Sequence, residues 1–262
     1  MSEVARSGCV VFGSGNVACA LAPALEEAGL HVRQVYSRSI ANARSLADVL
    51  AGAQAVDSLD SVCRDAELYV VALSDNAIEP VATAMTGTGG LWCHTSGGVG
   101  AEVLEPAATG YGVLYPLQTF SKKREVEMAQ VPLFVEGCTP CVEEKIKELA
   151  EKISGHVYHA DSAMRLRLHA AAVFACNFVN FMWTNADDIL KAGGCGLSVL
   201  EPLIRETLSK ALSMSPRDAQ TGPARRGDTV VMQRHRQVMT AEQSRIYEFL
   251  THSIIREYRA DR

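Results

Sequence analysis

The chain has 262 residues, 48% of them hydrophobic, and its 25 Lys and Arg stand against 30 Asp and Glu for a net charge of -5. That balance supplies a sizeable core and no basic field, so nucleic acid is not an expected partner. The opening MSEVARSG lacks an apolar signal core, and each apolar run is broken by Asn, Asp or Gly before the roughly 20 residues that span a bilayer, so the chain reads as soluble and cytoplasmic, with no membrane partner.

The first predicted element is an apolar run, Cys9 to Phe12, with the character of a buried parallel strand. Gly13, Ser14, Gly15, Asn16, Val17 and Ala18 follow as G-x-G-x-x-A opening a helical pattern, which is a dinucleotide fingerprint. Gly13 allows the sharp turn, Gly15 leaves the backbone open to a pyrophosphate, and Ala18 lets the helix lie close to the strand. The free N-H groups and positive dipole end of that helix face the phosphates. Gly29 ends the helix, and His31 to Tyr36 reads as the second strand.

Beyond that strand, an NAD-preferring fold usually carries Asp or Glu to hold the ribose 2'-hydroxyl. Here the positions read Ser37, Arg38, Ser39, a guanidinium with two hydroxyls that suits a 2'-phosphate, so the expected cofactor is NADP. The alternative is that Arg38 is a solvated loop residue and Ser39 a helix N-cap. Ile40 to Leu50 is the second helix and Ala53 to Val56 a short third strand. Leu68 to Leu73 is a fourth strand ending in Ser74, Asp75 and Asn76, with Asp75 or Asn76 capping a helix from Ala77 to Met85. Leu91 to His94 is the fifth, followed by Thr95, Ser96, Gly97 and Gly98. In an open parallel sheet ligands lie beyond the carboxyl ends of the strands, which makes Leu73, Ser74, Asp75, Thr95 and Ser96 cofactor candidates and His94 a candidate proton carrier. Capping and turn formation is the plainer use of these residues, and the better one for Asp75 taken alone.

A sixth strand ends at Val113 to Tyr115, before PLQTFSKKREVEMAQ. Leu133 to Glu136 is a short strand, Cys141 to Ile153 an amphipathic helix and His156 to His159 an edge strand. Cys138 and Cys141 form the single C-x-x-C among eight cysteines, read as small residues opening a helix rather than as a redox pair or half of a zinc site. From Ser162 onward the text turns helical, which divides the chain into a sheet domain at 1–160 and an all-helical domain at 161–262. The helix expected from Ala163 to Leu190 contains the run LHAAAVFACNFVNFMW at 168–183, which is apolar nearly all round and therefore expected to be buried, between domains or between subunits. Its polar exceptions are His169, Asn177 and Asn180; at about 100 degrees per residue His169 and Asn180 share a face. Leu197 to Leu212 forms another helix, Ser215 caps a short turn ahead of Pro216, and TGPARRGD at 221–228 is a loop with fixed turn chemistry. Thr240 to Gln243 form a capping box for the last helix.

Taken together, GSGNVA, Ser37-Arg38-Ser39, HTSG at 94–97, PLQTF at 116–120, HAAAVFACNF at 169–178 and TGPARRGD resemble a family of predicted NADP-dependent oxidoreductases with a Rossmann-like domain and a C-terminal helical domain of unknown function. The layout is more distantly similar to pyrroline-5-carboxylate reductase, ketopantoate reductase, deazaflavin-dependent NADP reductases and the 6-phosphogluconate and beta-hydroxyacid dehydrogenases. The resemblance implies NADP binding and a helical homodimerisation domain, with the second subunit bringing TGPARRGD, through Asp228 or Arg226, near a small-molecule substrate. It also shows a departure. Ketopantoate reductase and the beta-hydroxyacid dehydrogenases carry Lys-x-x-x-Asn on an interdomain helix; if Asn177 matches that asparagine, Val173 stands at the lysine. Likewise Tyr115-Pro116 replaces the family's frequent His-Pro. The expected function is hydride transfer to or from a small carbonyl, imine or hydroxyacid group, with His94 or His169 moving the proton and Asn177 orienting the substrate oxygen or the nicotinamide amide. A dinucleotide-binding sensor without turnover is the rival.

Overall fold

The computed structural model describes residues 8–258. They divide into two compact units, the first running to Phe174 and the second from Ala175.

The first unit is an α/β sheet structure. Its strands are β1 (Cys9–Phe12), β2 (Val32–Tyr36), β3 (Gln54–Val56), β4 (Leu68–Val71), β5 (Leu91–His94), β6 (Gly110–Pro116), β7 (Leu133–Gly137) and β8 (Val157–His159), in the order β3-β2-β1-β4-β5-β6-β7-β8. All neighbours run parallel except β6 and β7, which pair antiparallel with Val113 opposite Glu136 and Tyr115 opposite Phe134. The helices are α1 (Asn16–Glu27), α2 (Ile40–Ala47), α3 (Asp75–Ala84), α4 (Pro140–Ile153) and α5 (Ser162–Ala172).

Strand alternation builds a core on each face of the sheet. Cys9 and Val11 of β1, Val70, Cys93 and Leu114 face a cluster that includes Leu21 of α1, Leu46 of α2 and Ile146 of α4. Val10 and Phe12 turn the other way, onto Ile78 of α3, Tyr69 and Trp92. There Tyr69 and Trp92 stack with ring centroids 4.5 Å apart, and Phe12 lies 5.4 Å from Trp92. Burial pushes the Cys9 thiol up to about 12 and raises Cys93 as well, so both remain protonated spacers. The strand order reverses between β1 and β4, the place where such sheets bind ligands.

The second unit is all helical, with α6 (Val179–Ala192), α7 (Glu201–Ser213), α8 (Pro216–Ala219), α9 (Pro223–Arg226), α10 (Thr229–Arg236) and α11 (Ala241–Glu257). The expected caps are present: Ser215 accepts from Asp218 N at 3.2 Å, and Thr240 and Gln243 form the capping box of α11. Two local expectations are corrected. The long helix is interrupted by a π-helical segment, Val173–Phe178, which changes the phase at which side chains emerge, so the shared face expected for His169 and Asn180 does not apply. And α3 begins at Asp75 with Ser74 as its N-cap residue; the Ser74 hydroxyl donates to Asn76 Oδ1 at 2.8 Å. Among the described residues no helix is long and apolar enough to cross a membrane, and no cluster of side chains suits a metal ion.

Candidate active site at the carboxyl edge of the sheet

The fingerprint turn has the form its sequence implies. Gly13 adopts φ 120, and a Cβ there would lie 2.2 Å from the Ala72 carbonyl oxygen, so the close approach of β1 to the end of β4 admits glycine alone. Around Gly15 the opposite holds: a Cβ would meet nothing within 4 Å, because the N-terminus of α1 opens to solvent. Ser14 is buried and its hydroxyl donates to Ser37 Oγ at 2.9 Å, tying the turn to the end of β2. Ser37 Oγ also accepts from Ser39 N at 3.4 Å, and Ser39 caps α2 by accepting from Asn42 N. Arg38 is exposed and its guanidinium has no partner among the described residues. Asn16 is exposed, Val17 and Leu73 are half-buried, and Asp75 is exposed with its Oδ2 facing Gly98. This set fits a dinucleotide: an uncovered helix N-terminus, a backbone without a side chain in the way, and an uncommitted guanidinium beside two hydroxyls.

Next to it, the loop after β5 is folded on its own polar atoms. Ser96 N donates to His94 Nδ1 at 3.1 Å, and the other ring nitrogen lies 3.1 Å from the Gly100 carbonyl. An acceptor at Nδ1 and a carbonyl at Nε2 fix the neutral tautomer with its hydrogen on Nε2. His94 is fully buried, and burial holds its ring down to about 4, opposed by the Gly100 contact. Where the sequence suggests a proton carrier, the structure shows a ring with both nitrogens engaged inside its own loop. Ser96 Oγ accepts from Gly98 N at 3.0 Å and from Val99 N at 3.2 Å, and Thr95 N donates to Val71 O at 3.2 Å.

His169 is placed quite differently. It is exposed on α5, and its Nδ1 lies 3.0 Å from the Tyr115 hydroxyl at the end of β6. Tyr115 itself is buried, which raises its hydroxyl above the usual phenol range, while Arg165 pulls it back. Gly97 lies between the two: a Cβ there would meet Tyr115 Cζ at 2.8 Å and His169 Cβ at 2.9 Å. One turn before His169, Arg165 is the sole buried residue of α5 and is paired with Glu136 of β7. Nothing in the sequence pattern singles out Tyr115, Arg165 and Glu136 as a group that the fold brings to His169. The available signal was the four-residue spacing of Arg165 and His169, which sets them on one helix face.

Asn177 lies in the π-helical segment, is exposed, and belongs to the second unit. In that unit TGPARRGD is a rigid turn. Gly222 adopts φ 104, Pro223 opens α9, Gly227 is left-handed at φ 71, and Asp228 caps α10 by accepting from Val231 N at 3.1 Å. Arg225 donates to Gln220 O at 3.0 Å and lies 4.7 Å over the Tyr258 ring. That leaves Arg226 as the exposed charge of the turn.

Residues 3–119 match the model of a Rossmann-like domain, and residues 131–254 match that of a domain of unknown function, DUF2520. A Bacteroides fragilis protein provisionally described as an NADP oxidoreductase is 38% identical with a TM-score of 0.90, over 97% of this chain and 100% of its own. A Thermotoga maritima protein is 23% identical with a TM-score of 0.68, over 97% and 99%. A reductive aminase from Aspergillus terreus, solved with NADPH and ethyl-5-oxohexanoate, is 15% identical with a TM-score of 0.69, over 96% and 94%, a likeness of fold. No curated protein sequence matches.

Proposed function

Because the chain belongs to the family that joins a Rossmann-like domain to a DUF2520 domain and includes the Bacteroides fragilis protein, we propose that it is an NADP-dependent oxidoreductase acting on a small carbonyl, imine or hydroxyacid substrate. The turn from Gly13 to Val17 would hold the pyrophosphate, with Ser37 and Arg38 at the 2'-phosphate and Leu73, Ser74, Asp75, Thr95 and Ser96 along the strand ends. When bound, the reduced nicotinamide supplies a hydride.

The observation that carries the reading is the pairing of exposed His169 with buried Tyr115. The contact commits Nδ1 and leaves Nε2 as the open nitrogen. In the charged ring Nδ1-H donates to the tyrosine oxygen and Nε2-H is free to protonate substrate oxygen or nitrogen. After transfer Nδ1 keeps its hydrogen and the ring keeps its place. His94, enclosed by its own loop, supports Ser96 and Gly97 rather than moving protons.

Supplying keto acids, cyclic imines, and ketones with amines to the enzyme with NADPH, and following oxidation at 340 nm, tests the proposal. Turnover that falls about a hundredfold in His169→Ala and about tenfold in Tyr115→Phe, with NADPH affinity kept, is the expected result. Tight NADPH binding without turnover of any compound would leave a dinucleotide-binding sensor instead.

The proposal includes a homodimer joined through the helical unit. From residue 175 to 258 the buried hydrophobic side chains are Ala224, Met232 and Tyr258, whereas Phe178, Phe181, Leu203, Leu208 and Leu212 are exposed. Apolar surface on that scale calls for a covering partner, and a second copy supplies the same surface in return. Eight free thiols suit the reducing cytoplasm.

A further inference from the structure

Arg165 is fully buried, yet nothing in the proposed chemistry uses it. Its guanidinium reaches three segments. Nη1 is bonded to Glu136 Oε2 on β7, Nη2 donates to the Val99 carbonyl in the loop after β5, and Nη2 also lies 3.5 Å from Ser162 Oγ on its own helix. Glu136 is held from the other side by Ser162, whose N and Oγ both donate to Oε1 at 3.3 Å. Arg165 Nε is the one buried side-chain nitrogen or oxygen without a hydrogen bond among the described residues. A buried charge with an unsatisfied donor is costly to keep, and a leucine at the same position would bury without that cost.

What the arrangement secures is the setting of the Tyr115 and His169 side chains. His169 follows Arg165 by four residues on α5, so fixing Arg165 fixes the face that carries the imidazole. Glu136 pairs across the antiparallel ladder with Val113, two residues before Tyr115 on the same side of β6. Val99 ends the turn that begins at Ser96 and carries Gly97 against both rings. A planar fork can bond two acceptors at fixed angles, which a lysine cannot.

We infer that Arg165 is a positioning residue: its fork locks α5, β7 and the loop after β5 together, and so sets the hydrogen bond between Tyr115 and His169. The inference builds on the proposed role of His169 but concerns the contact itself, and it is tested without a substrate. Arg165 and His169 on α5 act on Tyr115 directly, and Glu136 on β7 and His94 on β5 stand opposite Val113, two residues before it on β6. Of these, Arg165 is the charge that favours the ionised phenol.

The experiment is NMR of the full-length protein carrying 13C at tyrosine Cζ and 15N in the histidine rings, assigned with Tyr115→Phe and His169→Ala. In Arg165→Gln the Tyr115 titration is expected to move up, because the cation that favours the ionised phenol is gone. The His169 Nδ1 resonance should move toward that of an imidazole without a partner. Arg165→Lys keeps the charge but not the fork, and should show the Nδ1 change with a smaller Tyr115 shift. Both variants are checked for folding by near-UV circular dichroism. If Arg165→Gln does not fold, Arg165→Lys and Glu136→Gln carry the same Nδ1 prediction. A folded variant in which neither resonance moves overturns the inference. Full turnover by His169→Ala would instead overturn the proposed chemistry and leave the NMR result standing.

Discussion

Phe12, Tyr69 and Trp92 have no exposed surface, while Phe178, Phe181 and Trp183 are 48%, 51% and 38% exposed in the same chain. The sheet unit covers both faces of its strands with its own helices and closes its core from within. The helical unit is made of comparable residues but leaves them outside, because long helices joined by short turns present apolar stripes on more sides than their neighbours cover. One half closes its core within a single copy; the other leaves large apolar side chains open. Tyr115 and His169, the pair proposed to move the proton, both lie in the sheet unit, whereas the contact proposed for a dimer lies in the helical one.

The largest effect is expected where that contrast is tested directly. Each large apolar side chain taken from water at an interface contributes about 1.5 to 3 kcal/mol, so Phe181→Asp with Leu208→Asp should convert a dimer into a species of 28.2 kDa by sedimentation. The melting temperature of the wild type should rise with concentration while that of the variant does not. A wild type that sediments as a monomer at micromolar concentration breaks the comparison.

Next comes the self-sufficiency of the sheet unit. Gly13→Ala places a methyl group 2.2 Å from the Ala72 oxygen at a φ of 120, so a loss of about 3 kcal/mol or more is expected in urea unfolding. Gly15→Ala meets no protein atom within 4 Å and should unfold within about 1 kcal/mol of wild type while losing NADPH affinity, measured by fluorescence titration. Equal stability losses for the two would contradict the open cradle.

His94 gives a pH signature to the same core. Its ring is held down to about 4 in the folded chain against an ordinary value of 6.5. Between those values the unfolded chain binds a proton that the folded chain refuses, so this contribution is whole above pH 6.5 and is lost as the pH falls toward 4, by about 3 kcal/mol. In His94→Gln the difference between unfolding free energies at pH 7 and pH 4.5 should shrink by most of that amount. The smallest effect on the fold comes from Arg38→Asp, which leaves stability unchanged but weakens NADPH by about ten- to a hundredfold through loss of a charge-assisted contact. Wild-type protein that binds NADH as tightly as NADPH would remove Arg38 from the cofactor site.

The strands and the fingerprint turn were legible in the residues because their signals are local. The tight turn at Gly13 and the open helix start at Gly15 are written in adjacent residues, although the Ala72 carbonyl that Gly13 meets is not, and unbroken apolar runs such as Leu68 to Val71 mark strands covered on both faces. Caps whose partner lies three residues on, as at Ser215 and Thr240, were equally visible. The π-helical segment was not, since VFACNF is apolar except for Asn177 and carries no periodicity from which a change of phase can be read. Nor was the pairing of Arg165 with Glu136, because an arginine in a helical stretch looks solvated until the antiparallel turn of β7 brings a carboxylate to it. His94 misled for a related reason. A histidine at a strand end has the chemistry of a proton carrier, and only the fold of the following six residues shows that Ser96 and Gly100 have claimed it.

Gly97 works as a thickness gauge. With Tyr115 and His169 both within 3 Å of where its first side-chain atom would stand, it sets how closely loop, strand and helix can approach. Any added carbon acts as a wedge that pries the hydroxyl from the imidazole before it disturbs the core beneath. In a library of variants built to alter this chain's substrate, residue 97 is therefore the position to hold constant, since changing it would separate the two rings on which the proposed proton transfer rests.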